Sequence, residues 1–302
     1  MTVNGTLDAQ GTRAAPIVFT SQKDDDWGGD TNGDGETTKP EGGNWTGLYV
    51  NGTANLTYCI AMYAAPGNER GNIECKSGGR LTMNGCTVAH SLYDGVWNWG
   101  GTIRITNSIF FDCGNAVCPY QGSTECDNCV MFECNYGYMD WSHWVGGTFK
   151  NCIFYGMGMN WSDTQGASEF QSHSTVRNCC FYNPEGYSKN SCTKDGVDGC
   201  LYADPEFVEP ETGDFRITSE SPCVDAGDGL SAPNRDYYNQ PRRNVAMVTQ
   251  TGVADAEGNY PDIGFYEVQP RFATSDIDLA MKTVSVPEAM SVGDVVEVSW
   301  RV

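Results

Sequence analysis

Basic side chains are scarce in this sequence: 18 Lys and Arg stand against 39 Asp and Glu over 302 residues, a formal net charge of −21. Such a balance repels nucleic acid and anionic membrane surfaces and draws divalent cations instead. No apolar run approaches the ~18 residues of a membrane-spanning helix, and no stretch carries the 3.6-residue periodicity of a long amphipathic helix. A Gly-x-Ser-x-Gly nucleophile elbow, a glycine-rich phosphate cradle and Cys-x-x-Cys pairs at zinc spacing are all missing. Histidine is limited to His90, His143 and His173. Met1 is followed by neither a basic segment nor an apolar one, so no signal peptide is readable. The natural chain is expected to begin upstream, and Val296-Glu-Val-Ser-Trp300-Arg-Val breaks off within a strand pattern.

What is abundant points to β structure. Glycine reaches 36 residues, with many Asn, Thr and Ser between short runs of Val, Ile, Phe and Tyr, the composition of an all-β chain with frequent turns. Fourteen cysteines and Asn-x-Ser/Thr sequons at Asn4, Asn44, Asn51, Asn55 and Asn160 suit a protein exported to an oxidising compartment. The localisation expected is extracellular or at the cell surface.

Self-similarity appears between residues 55 and 182. Leu56-Thr-Tyr-Cys-Ile-Ala-Met, Leu81-Thr-Met-Asn-Gly-Cys-Thr-Val, Ile103-Arg-Ile-Thr-Asn-Ser-Ile-Phe, Cys126-Asp-Asn-Cys-Val-Met-Phe, Thr148-Phe-Lys-Asn-Cys-Ile-Phe and Thr175-Val-Arg-Asn-Cys-Cys-Phe align at their centres. Cys59, Cys86, Ser108, Cys129, Cys152 and Cys179 then share one position, at intervals of 27, 22, 21, 23 and 27 residues. A period of this size means a solenoid, in which each coil buries its inner face only by stacking on the next. Asn107, Asn128, Asn151 and Asn178 precede that position, and Asp94, Asn115 and Asn135 form a second set. Both read as stacked turn residues that tolerate left-handed backbone angles and can hydrogen-bond the next Asn. The fold expected is a right-handed parallel β-helix over 1–268, with a closing segment over 204–268 and a β extension over 269–302.

The stacked cysteines have two readings. They can fill a tight core as small apolar groups, or pair between coils, since the strand spacing lies within disulfide reach. Cys113 with Cys134 is the inter-coil candidate; Cys118 with Cys126 and Cys192 with Cys200 are candidate loop staples.

The Ile-Thr-Asn-Ser-Ile-Phe and Lys-Asn-Cys-Ile-Phe repeats resemble those of secreted bacterial pectate-lyase-like parallel β-helix proteins. Asp204-Pro-Glu-Phe-Val, Gly213-Asp-Phe-Arg-Ile, Ser221-Pro-Cys-Val-Asp-Ala-Gly and Asp262-Ile-Gly-Phe-Tyr-Glu resemble the closing segment of many such proteins, including ones with a surface-anchoring module. Residues 278–300 resemble the opening strands of an immunoglobulin-like adhesion module, and two strands without their sandwich invite pairing with another chain. The resemblance implies the fold; it implies no single activity, because this fold hosts lyases, hydrolases, adhesins and fibres.

The sharpest chemical motif is Asp30-Thr-Asn32-Gly-Asp34-Gly-Glu36-Thr-Thr-Lys-Pro-Glu41, which meets the calcium-loop pattern D-x-[DN]-x-[DN]-G-x5-E. Alternating oxygen ligands wrap a hard cation, and Glu41 can close the sphere. Of the preceding acids, Asp24, Asp25 and Asp26 are further donors, Asp26 foremost. Strand-like flanks exclude an EF-hand, and the loop resembles an insertion of secreted β-helix proteins. Calcium is therefore the cofactor expected.

Trp97, Tyr120, Trp141 and Trp161 recur near the coil period, with Trp144 nearby. Such a row can stack on sugar rings or merely fill corners. For catalysis, Asp140 and His143 form one conceivable acid/base pair. Lys150 and Arg177 lie in one column with Asp127, a pattern more typical of a surface charge stack. No catalytic cluster stands out. The expectation is an extracellular structural or adhesive protein, a fibre or surface-layer subunit that assembles with itself through 271–302. The alternatives are a carbohydrate-binding β-helix and a calcium-dependent polysaccharide lyase or hydrolase.

Overall fold

Each repeat supplies three short strands, and stacking them gives three parallel faces. The computed structural model describes residues 1–67, 71–139, 145–157, 174–184, 196–245 and 248–269. Face one stacks Thr2–Val3, Leu48–Val50, Gly71–Lys76, residues 94–100, residues 115–121 and Tyr136–Tyr138. Face two stacks Thr6–Gln10, Thr53–Thr57, Arg80–Asn84, residues 102–106, residues 123–127, Thr148–Lys150 and Thr175–Arg177. Face three stacks Ile17–Phe19, Cys59–Met62, residues 87–89, residues 109–111, Val130–Phe132, Ile153–Tyr155 and Cys180–Tyr182. The parallel β-helix expected from the repeat is the fold.

Period-two alternation decides what each strand buries. On face two, Leu56, Leu81, Met83, Ile103, Ile105 and Phe149 point into the solenoid, while Thr82, Arg104 and Glu125, which are in register, face solvent. Face three has no polar side. Its inner row, with Val88, Phe110, Met131, Phe154 and Phe181, belongs to the solenoid core. Its outer row, with Ile109, Val130, Phe132, Ile153 and Cys180, packs beneath Phe215, Ile217, Val224, Ile263 and Phe265 of the closing segment. A parallel sheet covered on both sides explains the continuous apolar runs there.

The asparagines expected at the bend are there, and all four are left-handed, with φ of 48° at Asn107, 52° at Asn128, 53° at Asn151 and 47° at Asn178. Asn tolerates that region because its short amide can bond locally. Their amides do more than stack. Asn151 donates to Asn128 Oδ1 at 3.2 Å, but Asn178 donates to Ala226 O, Asn151 to Asp228 O, Asn128 to Asp262 O and Gly264 O, and Asn107 to Arg235 O. The column is thus the seam along which the closing segment docks. In the second set, Asn115 donates to Asp94 Oδ1 at 2.6 Å, whereas the register partner of Asn115 in the next coil is Tyr136, one residue beyond Asn135.

The closing segment carries its own buried polar network. Arg242 donates to Glu267 Oε2 at 2.9 Å and to Asn107 Oδ1 at 2.9 Å. Asp262 accepts from the amides of Asp225 and Val268, and Asp236 from those of Gln240 and Glu267. Each buried carboxylate is met by hydrogen-bond donors, as burial requires.

Among the described residues the expected disulfides are not formed: Cys113, Cys134 and Cys126 are free, buried thiols, and Cys118 and Cys200 are buried; Cys192 lies outside the described residues. Cys113 and Cys134 do sit in neighbouring coils, yet each Sγ turns to the carbonyl two residues back, Phe111 O at 3.4 Å and Phe132 O at 3.6 Å. Cys126 belongs to the inner core, while Cys118 follows inward-facing Val117 and so lies on the other side of its sheet. The space-filling reading of the cysteine stack is the one the fold uses. The chain divides into Met1–Pro270 and Arg271–Val302; the second unit, on which the expected immunoglobulin-like resemblance and strand donation fall, lies outside the described residues.

Candidate functional site

An acidic loop and a corner of the solenoid meet on one side of the molecule. Within the loop, Asp30 accepts from the amides of Asp34 and Gly35 at 3.0 and 2.9 Å, and Asn32 Oδ1 accepts from Asp34 N at 3.2 Å. Asp34 is held by Thr38, whose hydroxyl donates to it at 2.7 Å and helps keep its carboxyl below the usual range. Asp30, Asn32 and Asp34 are therefore brought together. Asp25 joins them: its Oδ1 is enclosed without a partner, and partial burial followed by the charges of Asp30 and Asp34 raises its pKa. An orphaned carboxylate oxygen among like charges fits a hard cation.

Of the other acids expected as ligands, Glu36 lies 3.7 Å from Lys39 on the surface and its charge also reaches Asp25, Asp26 is exposed, and Glu41 lines a neighbouring cleft. Asp24 is buried and takes the Thr20 hydroxyl. No group of three or more His, Cys, Asp and Glu side chains arranged for a metal ion occurs among the described residues; the loop's set includes an Asn.

The cleft, of about 460 Å³, lies between the end of this loop and the corner after face three. Tyr63, His90, Asp112 and Glu133 occupy equivalent corner positions, four residues after the stacked Cys/Ser position, and all have left-handed φ, from 48° to 61°. His90 Nδ1 lies 2.7 Å from Asp112 Oδ2. Its ring stacks on Tyr63 at 5.0 Å and meets the edge of Phe111 at 5.0 Å. The loop presses close: a Cβ on Gly42 would meet Leu92 N at 2.8 Å. Burial, then the charges of Asp24, Asp26 and Asp112, raise the Tyr63 pKa.

The aromatic row resolves differently from its spacing. Trp97 is buried at 5% exposure with Nε1 unpartnered, and its register partner is Cys118. Tyr120 instead stacks on Trp99 at 4.7 Å, both 37% exposed, with Lys76 5.9 Å from the Trp99 ring. Trp141, Trp144 and Trp161, and the Asp140/His143 pair, lie outside the described residues.

The Asp127, Lys150, Arg177 column is in register as the spacing implied. Asp127 is not solvated, however. It is 6% exposed with Oδ1 unpartnered, and burial, opposed by Lys150 and Arg104, pushes its pKa up to about 6.

The His90–Asp112 contact was legible in principle, because the residues are 22 apart, one coil period at that point. The periodic cysteines beside them carry the stronger repeat signal, and spacing alone does not give the direction of the two side chains. No family model, no curated protein and no solved structure matches this chain.

Proposed function

We propose that this chain is an extracellular structural or adhesive β-helix, a calcium-stabilised subunit of a surface or fibrous assembly, akin to the secreted β-helix proteins its repeats resemble. The observation that carries the reading is the enclosed, unpartnered Asp25 Oδ1 beside Asp30 and Asp34, in a loop packed against the solenoid corner. A cation there relieves the repulsion and fixes the loop on a rigid rod. Thermal unfolding and electron microscopy with calcium and with chelator test it together. Calcium should raise the midpoint and Asp34→Ala should abolish that rise, while ordered assemblies should vanish on deletion of 271–302. No calcium-dependent shift, with lone rods under all conditions, sinks the proposal.

A second reading rests on the exposed Trp99–Tyr120 stack beside Lys76, a surface suited to saccharide. Glycan retention that falls with Trp99→Ala and Tyr120→Ala supports it; no retention on any glycan of a broad array counts against it.

A further inference from the structure

We infer that His90 and Asp112 form a general-base site for hydrolysis of small acyl esters, in the cleft between the acidic loop and the solenoid corner. The argument starts from orientation. Asp112 Oδ2 holds Nδ1 at 2.7 Å, which fixes the tautomer with its proton on Nδ1 and leaves Nε2 as the basic nitrogen. Tyr63 covers one ring face and Phe111 bounds another side, both at 5.0 Å, so the imidazole is held in one plane. Nε2 has no hydrogen-bond partner among the described residues.

At His90 and Asp112 the bend places an oriented base against a cavity of about 460 Å³, enough for a water and a small acyl group. Leu92, 46% exposed, offers that cleft apolar surface for an acyl methyl. An ester is the substrate class because its alkoxide leaves without the strong acid assistance that amides and glycosides need.

The step balances without any co-reactant. Nε2 takes a proton as the water oxygen attacks the ester carbonyl carbon; the alkoxy C–O bond then breaks, and the imidazolium returns the proton to the departing alkoxide. Ester and water give acid and alcohol. The charged and titratable groups around the imidazole are Asp112 from the next coil, Tyr63 from the preceding one and Glu41 from the loop, with Asp24 and Asp26 acting on Tyr63.

The test uses the full chain and p-nitrophenyl acetate, read against imidazole at equal concentration. General-base catalysis contributes ~10²–10⁴-fold, so hydrolysis should exceed the rate in buffer alone by at least about 100-fold and also exceed the imidazole reference. His90→Gln should remove the excess, and Asp112→Asn should lower kcat by about 10-fold or more. In His90→Ala, added imidazole should restore part of the rate, an effect a structural role would not give. Circular dichroism and the thermal midpoint confirm that the variants remain folded. Hydrolysis no faster than free imidazole, or full activity in folded His90→Gln, overturns the assignment.

Discussion

Arg242 and Glu267 form a buried ion pair at 2.9 Å, with side chains 4% and 0% exposed, at the point where the closing segment meets Asn107 of the solenoid. One cation there sits among the buried carboxylates of Asp225, Asp236, Asp262 and Glu267. Removing one partner of such a pair leaves a buried charge without compensation and costs ~3–5 kcal/mol. Arg242→Met should lower urea stability by that amount. Arg242→Met with Glu267→Met should recover much of it, and a double variant as unstable as the single one would show that the pair does not act as a unit.

Several buried acids are pushed upward by burial: Asp94 to about 7, Glu267 to about 7 against the opposing Arg242, and Asp225 to about 6. Between the unfolded carboxyl range and these values the native state binds more protons than the unfolded chain. Stability therefore falls as pH rises through that window. The thermal midpoint should climb from pH 8 to pH 5, and Asp94→Asn should reduce the slope. A midpoint that rises steadily toward pH 8 contradicts the raised values.

At Asn151 the side chain and the backbone make separate demands. Oδ1 accepts from Asp228 N at 2.6 Å, and Nδ2 donates to Asp228 O, while φ is 53°. Asn151→Gly keeps the backbone freedom but leaves buried Asp228 groups unmatched, a loss of ~1–3 kcal/mol. Asn151→Ala should cost about 1 kcal/mol more, from the left-handed angle. Denaturant titration of the two variants separates the terms, and equal stabilities would remove the backbone contribution.

Because the described thiols act as core filler, dithiothreitol should leave the thermal midpoint unchanged. Alkylating reagents should label these cysteines only after denaturation. A midpoint lowered by reductant would reveal a bridge on which the fold depends.

Much of the fold was legible because a solenoid writes its period into the chain. Cys59 through Cys179 gave the coil spacing, and the asparagines gave the left-handed bend. The calcium-loop motif fixed the spacing of its acids and not their direction: Glu36 lies beside Lys39 and Glu41 lines the cleft. Asp25 was one of three preceding acids in the sequence, and folding set it apart by enclosing its oxygen.

The amino-acid sequence by itself determined the stacked parallel strands, since period-two burial within a repeat of some 20 to 27 residues leaves few other ways to hide so many short apolar runs. Tertiary structure alone decided that face three is buried on both sides and that the asparagine column docks the closing segment. It also decided that Asp127 is sheltered and that His90 meets Asp112. Each depends on segments distant in sequence or on the direction of a side chain, and local pattern carries neither.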